Sequence, residues 1–205
     1  VITSPPYPAE HDYTRNQRLE LVWLGECDDN DDLQRIKRRN IRSHTKNIYV
    51  DDDEGKRTDI RAIDRVDEIV ERMETIIEEE NVTHGFGQNY PRVIEEYFGG
   101  MQHHLEAVYD LLAPGGVAAY VVADSGSYWQ VEVETAAILA EIAADRVGFA
   151  DPEVRLWRNV AATTADYDEI EENVLLLRKP DRPPEAQPTA NSQRLNRLTA
   201  CSHTV

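Results

Sequence analysis

The residues "LAPGGVAAYVVADS" (112–125) combine a helix end with a strand. The proline and glycines of "APGG" (113–116) are typical of the point where a helix stops. The following run, "VAAYVVA", is almost continuously apolar and rich in β-branched valine, which is typical of a strand buried on both faces. A strand of that kind belongs to a sheet covered by helices, so this stretch predicts an α/β fold.

The start of the chain predicts a second strand that leads into a stiff loop. Val1, Ile2 and Thr3 precede two adjacent prolines, Pro5 and Pro6. Proline fixes its own φ and forces the residue before it toward extended geometry. We therefore expect residues 1–3 to end a strand and residues 4–8 to form a rigid loop at its carboxyl end, where open α/β sheets bind ligands.

Apolar residues spaced by three and four predict helices over most of the chain between these two strands. The remaining patterns predict a helix from Val131 to Arg146 and two closing strands that could pair antiparallel. The tail at 181–205 is polar and is expected to be disordered. We expect one domain over 1–180 with a helical insertion at about 14–112. The individual helices are predicted at 14–26, 59–80 and 93–112, and Asp59 is expected to cap the second of them. A loop is predicted at 85–89, and strands are predicted at 153–160 and 172–179.

The composition bounds the class of protein. A length of 205 residues suffices for one domain with a real core. The net charge of −17, with only four lysines, favours a source adapted to high salt, where self-repulsion is screened. Cys27 and Cys201 are far apart in sequence, which favours free thiols in a reducing cytoplasm. No apolar run reaches 18 residues, so we expect no membrane span.

The stretch "TSPPY" (3–7) resembles the catalytic motif of amino-group DNA methyltransferases. The longer stretch at 3–25, with "RSHTKNIYV" (42–50) and residues 112–125, is similar to bacterial and archaeal DNA modification methylases of restriction-modification systems. The resemblance covers residues 1 to about 180. It implies the C-terminal part of a Rossmann-like sheet with a helical insertion after the catalytic loop. It also implies S-adenosyl-L-methionine as cofactor, DNA as substrate, and a catalytic set of Ser4, Pro5, Pro6 and Tyr7.

The chemistry of that family explains why such a loop is needed. An exocyclic base amine is a poor nucleophile because its lone pair is delocalised into the ring. Ser4 Oγ and the Pro5 carbonyl can accept its two N–H groups and stabilise the positive charge that develops on nitrogen. Tyr7 can stack on the base, which must leave the duplex. Serine in the first position favours cytosine N4 over adenine N6.

Other assignments remain open at this point. Protein-glutamine and RNA methyltransferases share the chemistry, although the former usually carry Asn where Ser4 stands. A non-catalytic DNA-binding remnant of a methylase is a further alternative. The family's Gly-rich cofactor turn is not found in the sequence. We therefore expect the cofactor half to be missing, truncated or supplied by another chain. Asp124, behind the buried strand, is a candidate for cofactor contact, with helix capping as its alternative.

One basic segment stands out in this acidic chain. Residues 33–50 contain six Lys or Arg and no acid, which favours contact with DNA phosphates. As a helix, four of the arginines would share one face. The alternative is a solvated face that pairs with the acidic loops on either side. No metal site is expected, since the adjacent His103 and His104 point to different faces. The candidate phosphate contacts are Arg35, Lys37, Arg38, Arg39, Arg42 and Lys46.

Overall fold

The computed structural model describes residues 1–48, 59–161 and 169–181. Within them the chain is mixed α/β: a run of helices separates the first strand from the second, and one further helix precedes the last two strands. The helices are α1 (Tyr13–Asn16), α2 (Arg18–Trp23), α3 (Asn30–Arg39), α4 (Asp64–Glu79), α5 (Tyr90–Leu111) and α6 (Thr135–Ile142). The strands are β1 (Ile2–Thr3), β2 (Val117–Ala123), β3 (Ser125–Tyr128), β4 (Val131–Val133), β5 (Ala150–Ala161) and β6 (Glu169–Arg178).

Four strands form a mixed sheet in the order β1-β2-β6-β5. β1 runs parallel to β2, with Thr3 opposite Tyr120. β6 is antiparallel to both β2 and β5. The predicted strands at both ends of the chain are therefore confirmed, as is the antiparallel pairing of the last two. The mixed α/β class is confirmed with them.

One face of the sheet carries the core. Tyr120 and Val122 in β2 and Leu175 and Leu177 in β6 are fully buried and belong to one apolar cluster with residues of α4, α5 and α6. Their neighbours on the other face, such as Val121, are only partly covered. β2 therefore departs from the predicted burial on both faces, because its side chains alternate between a helix-covered and a thinly covered side.

The helices of the insertion follow their apolar spacing only in part. α5 confirms the predicted helix, and Val66, Val70 and Met73 of α4 are completely buried. The predicted helix at 14–26 is instead two short helices that leave Trp23 86% exposed. Asp59 does not cap α4, because a 3-10 turn at Ile60–Ala62 separates them.

The helix predicted from Val131 begins later than expected. Val131 and Val133 instead form β4, which pairs with β3. The turn between the two strands has positive φ at both Trp129 (52°) and Gln130 (60°), which is the geometry of a tight hairpin. Of the predicted tail, residues beyond Asp181 lie outside the described part of the chain.

Candidate functional site

Strand β1 places the Ser-Pro-Pro-Tyr loop at the carboxyl end of the parallel pair. Ser4 directly follows the strand and is exposed, whereas Pro5 and Pro8 are buried. The Ser4 hydroxyl lies 3.1 Å from the Val121 carbonyl oxygen of β2 and donates to it. The loop is therefore fastened to the sheet at the residue predicted to meet the substrate.

A chain of polar side chains runs from this loop to the far strands. The Tyr7 hydroxyl lies 3.3 Å from Ser4 Oγ and donates to Glu172 Oε1 at 2.8 Å. Arg158 Nε donates to the other oxygen, Glu172 Oε2, at 2.5 Å. Glu172 is only 7% exposed. The structure thus brings together Ser4 and Tyr7, which were predicted, and adds Glu172 and Arg158, which were not.

Sequence reasoning missed Glu172, although one signal was present. It stands at the head of the apolar stretch "ENVLLLRK" (172–179), where a buried carboxylate needs a partner. Burial is the main cause that raises the pKa of Tyr7. The hydrogen bond to Glu172 and the charge of that carboxylate raise the pKa further, whereas the Ser4 hydrogen bond lowers it.

Some backbone groups of the loop already form hydrogen bonds within the protein, and others do not. The Pro6 carbonyl accepts from the buried Tyr97 hydroxyl at 2.9 Å. The backbone N–H of Tyr7 donates to the Tyr13 hydroxyl at 3.1 Å. The hydrogen bonds among the described residues leave the Pro5 carbonyl without a donor. Ser4 is exposed and can meet a ligand, whereas Pro5 is buried, so acceptance by the Pro5 carbonyl stays a prediction.

Asp124 directly follows β2, beside the loop's sheet edge and close to the start of α6. Cofactor contact and helix capping both stay predictions for it. Burial raises the pKa of Asp124 to about 6, and the charges of Glu171 and Glu134 add to the effect. Its Oδ1 atom is buried without a hydrogen-bond partner in the described structure.

The cavity next to Asp124 is strongly acidic. It has a volume of about 440 Å³. Such an acidic lining disfavours anionic ligands. The lining residues are Asp124, Glu132, Glu134, Glu169, Ile170 and Glu171.

The basic segment divides into an exposed group and a buried pair. Arg35, Arg38 and Arg39 on α3 are exposed, as is Lys46 in the 3-10 turn Thr45–Asn47. Arg35 forms an ion pair with Asp32 at 2.6 Å, as expected for a solvated helix face. Contact of these four exposed residues with phosphates stays a prediction.

The structure corrects the prediction for Arg42 and Lys37. Arg42 lies beyond the end of α3 and is 1% exposed, with its Nε 3.5 Å from Glu96 Oε2. The Lys37 ammonium lies 2.8 Å from Asp12 Oδ2 and is almost covered. Both cations face inward because Glu96 and Asp12 carry buried or half-buried negative charge that needs a counterion.

Several expectations concern other ligands. Cys27 is a buried free thiol, and Cys201 lies outside the described residues. Over 1–48, 59–161 and 169–181, no cluster of three or more metal-binding side chains occurs. None of the helices in those ranges is both long and apolar enough to cross a bilayer. No family model matches the chain, and neither a curated protein nor a solved structure is significantly similar to it.

Proposed function

We propose that this chain carries the catalytic loop of an S-adenosyl-L-methionine-dependent DNA methyltransferase that acts on an exocyclic base amine, with cytosine N4 as its preferred target. One observation carries the proposal. The Ser-Pro-Pro-Tyr loop lies at the carboxyl end of a parallel strand, with an exposed Ser4 hydroxyl beside the Tyr7 ring. A ligand-facing position of this kind is where α/β sheets place their chemistry.

The loop can activate an amine without forming a covalent bond to it. A base amine placed against Ser4 Oγ and the Pro5 carbonyl donates both N–H groups. The nitrogen can then become pyramidal, and the two oxygens stabilise its developing positive charge. Because Pro5 and Pro6 fix the backbone, these acceptors need little reorganisation during the reaction. In other enzymes, loss of one preorganised hydrogen bond of this kind lowers the rate by a factor of about 10²–10³.

The described residues do not by themselves fit the cofactor. Among them, no Gly-rich turn follows a parallel strand, and the glycines at Gly85 and Gly87 flank or lie in a 3-10 turn next to Trp129. β1 is the outer strand of the sheet, and Ile2 on it is 87% exposed. We propose that further strands pair along β1, from the full protein or from a second chain, and hold the cofactor there.

DNA contact is proposed for the exposed cations Arg35, Arg38, Arg39 and Lys46. They follow the catalytic loop in sequence and form a positive group in a chain of net charge −17. Phosphate contacts from such a group position the duplex without selecting its sequence. This separation of tasks makes binding and methyl transfer independently testable.

The test is transfer of labelled methyl from S-adenosyl-L-methionine to DNA in molar KCl, followed by nucleoside analysis. The chain is assayed as it stands and with any upstream coding sequence restored. We expect label in N4-methylcytosine, and label in N6-methyladenine would change the target base. Ser4→Ala should abolish transfer and leave DNA retention intact. Thr75→Ala, which removes an exposed hydroxyl from α4, serves as the matched control.

Other outcomes separate the alternatives. If the label appears in RNA or in protein glutamine and none appears in DNA, the substrate is RNA or protein and not DNA. DNA retention without label in either form of the protein would support the non-catalytic remnant and refute the enzyme.

A further inference from the structure

We propose that Glu172 and Arg158 are positioning residues that keep Ser4 Oγ a hydrogen-bond acceptor. This inference rests on the proposed function, in which Ser4 must accept an N–H from the substrate amine. It concerns the direction of the hydrogen bonds in the chain from Arg158 through Glu172 and Tyr7 to Ser4.

The first step is the fate of the Tyr7 proton. An ionised carboxylate can only accept hydrogen bonds, whereas a phenol has a single proton to donate. Glu172 Oε1 lies 2.8 Å from the Tyr7 hydroxyl, so the Tyr7 proton points at Glu172. Tyr7 then presents only its oxygen lone pairs to Ser4, 3.3 Å away.

The second step is the fate of the Ser4 proton. Its two near neighbours are the Val121 carbonyl oxygen at 3.1 Å and the Tyr7 oxygen at 3.3 Å. Both are acceptors in this arrangement, so the Ser4 proton is directed into the protein whichever of them it meets. The Ser4 lone pairs remain on the exposed side, available to a donor.

The third step is what pairs the buried carboxylate of Glu172 with a cation. Arg158 lies opposite Glu172 in the register of β5 and β6, and its Nε is 2.5 Å from Glu172 Oε2. The guanidinium also stacks 4.5 Å above the Trp157 ring, which holds it in place. A neutral group at 172 could donate to Tyr7, and Tyr7 could then donate to Ser4 and occupy the lone pair that the amine needs.

Glu172→Gln tests this directly, because the amide has nearly the same shape and can donate as well as accept. We expect it to lower methyl transfer to DNA by about tenfold or more, since it weakens a preorganised acceptor. Glu153→Gln, on the neighbouring strand β5, changes an exposed glutamate that pairs with Arg155, and it is the matched control that should transfer normally. Arg158→Gln, which changes a half-exposed side chain, should act in the same direction and provides a second variant if Glu172→Gln does not fold.

Glu172 could instead serve only to hold the fold together. Comparing Glu172→Gln in the unaltered protein with Glu172→Gln in the Tyr7→Phe variant distinguishes that role from the proposed one. In Tyr7→Phe no phenol proton can reach Ser4, so adding Glu172→Gln should cost nothing beyond the Tyr7→Phe effect. An equal loss in both backgrounds would overturn the inference, as would full activity of Glu172→Gln in the otherwise unchanged protein.

A second readout does not depend on activity. The ¹³Cζ resonance of Tyr7, assigned by its loss in Tyr7→Phe, should move upfield in Glu172→Gln, where the phenol no longer donates to a carboxylate. The Tyr7 resonance should stay in place in Glu153→Gln. An unchanged resonance in Glu172→Gln would overturn the inference even if the unaltered protein transferred methyl groups. A shifted resonance in a protein without transfer would uphold the hydrogen-bond direction and refute the proposed function.

Discussion

The guanidinium of Arg42 lies inside the molecule, between the end of α3 and helix α5. Its terminal nitrogen donates to the carbonyls of Arg38 and Asn40 at 2.9 and 3.1 Å. Glu96 receives a second arginine, since Arg92 Nε lies 2.6 Å from its Oε1. One buried carboxylate is therefore shared by two cations, and removing either cation leaves its charge poorly compensated.

Arg42→Met should therefore destabilise the protein by about 3 kcal/mol, because it breaks a buried ion pair from one side. Urea unfolding measures the loss. Arg38→Met, which changes an exposed side chain of α3, is the control and should have little effect. Adding Glu96→Leu to Arg42→Met should recover much of the stability, and a loss below about 1 kcal/mol for Arg42→Met alone would contradict the role of the pair.

Asp124 lowers the stability of the folded protein, whereas the Arg42–Glu96 pair raises it, because the charge of Asp124 is disfavoured in the folded state. Its pKa is raised to about 6 from the usual 3.8, mainly by burial. As the pH rises, Asp124 ionises in the unfolded chain before it ionises in the folded protein. Its cost to the free energy of unfolding therefore builds up between about pH 4 and pH 6 and persists at higher pH.

Asp124→Asn keeps nearly the same side-chain shape and removes the charge. The stability of this variant relative to the unaltered protein should rise by about 1 kcal/mol from pH 4 to pH 7, after allowance for partial exposure. The difference between the two proteins is the quantity to measure, by urea unfolding at each pH. Burial lowers the pKa of His44 to about 4, which acts in the opposite sense in the same window but is common to both. A difference that does not vary with pH would contradict the prediction.

At the scale of elements, α3 shows how a helix end divides one basic segment into an exposed group and a buried residue. The helix stops at Arg39, and Asn40 turns to extended geometry with ψ of 154°. Arg38 and Arg39 therefore stay on the exposed last turn, where their charges also complement the helix dipole. Arg42 leaves the helix and turns inward.

The double change Arg38→Gln and Arg39→Gln should weaken DNA retention and make it less sensitive to salt. Loss of two phosphate contacts should reduce the slope of log affinity against log salt by about 2. Fluorescence anisotropy with a labelled duplex over a KCl series gives that slope. Arg155→Gln on β5, also an exposed arginine, should leave it unchanged. A slope that stays the same in the double variant would remove α3 from the DNA interface.

At the scale of the molecule, the net charge of −17 is the dominant electrostatic fact. Repulsion among so many surface carboxylates favours expansion, and salt shortens its range from about 10 Å at 0.1 M to about 3 Å at 1 M. Buried pairs such as Arg42 with Glu96 are screened much less.

The melting temperature should therefore rise as KCl is increased from 0.1 to 2 M. A gain of about 2 kcal/mol corresponds to roughly 4–8 °C for a chain of this size. Differential scanning calorimetry measures it, with sucrose as an uncharged control for solute exclusion. A melting temperature that is flat or falls with KCl would contradict the interpretation that the chain is adapted to high salt.

Much of the architecture was predictable because its signals are local. α5 was found from apolar periodicity, β2 and β6 were found from apolar runs within single segments, and Pro5 and Pro6 marked the end of β1 without any knowledge of its neighbours. The first helix was predicted too long because its apolar residues satisfy a helical spacing while Leu19 and Trp23 remain on the surface. Spacing identifies a stripe but not what covers it.

The sequence by itself determined the α/β class and the position of the Ser-Pro-Pro-Tyr loop behind a strand, since both depend on residues that are neighbours in the chain. Only the tertiary structure decided that Glu172 meets Tyr7, 165 residues away, and that Arg42 points inward. The pairing of β6 between β2 and β5 sets which side chains face the loop. That register results from the packing of all three strands together, which no local pattern encodes.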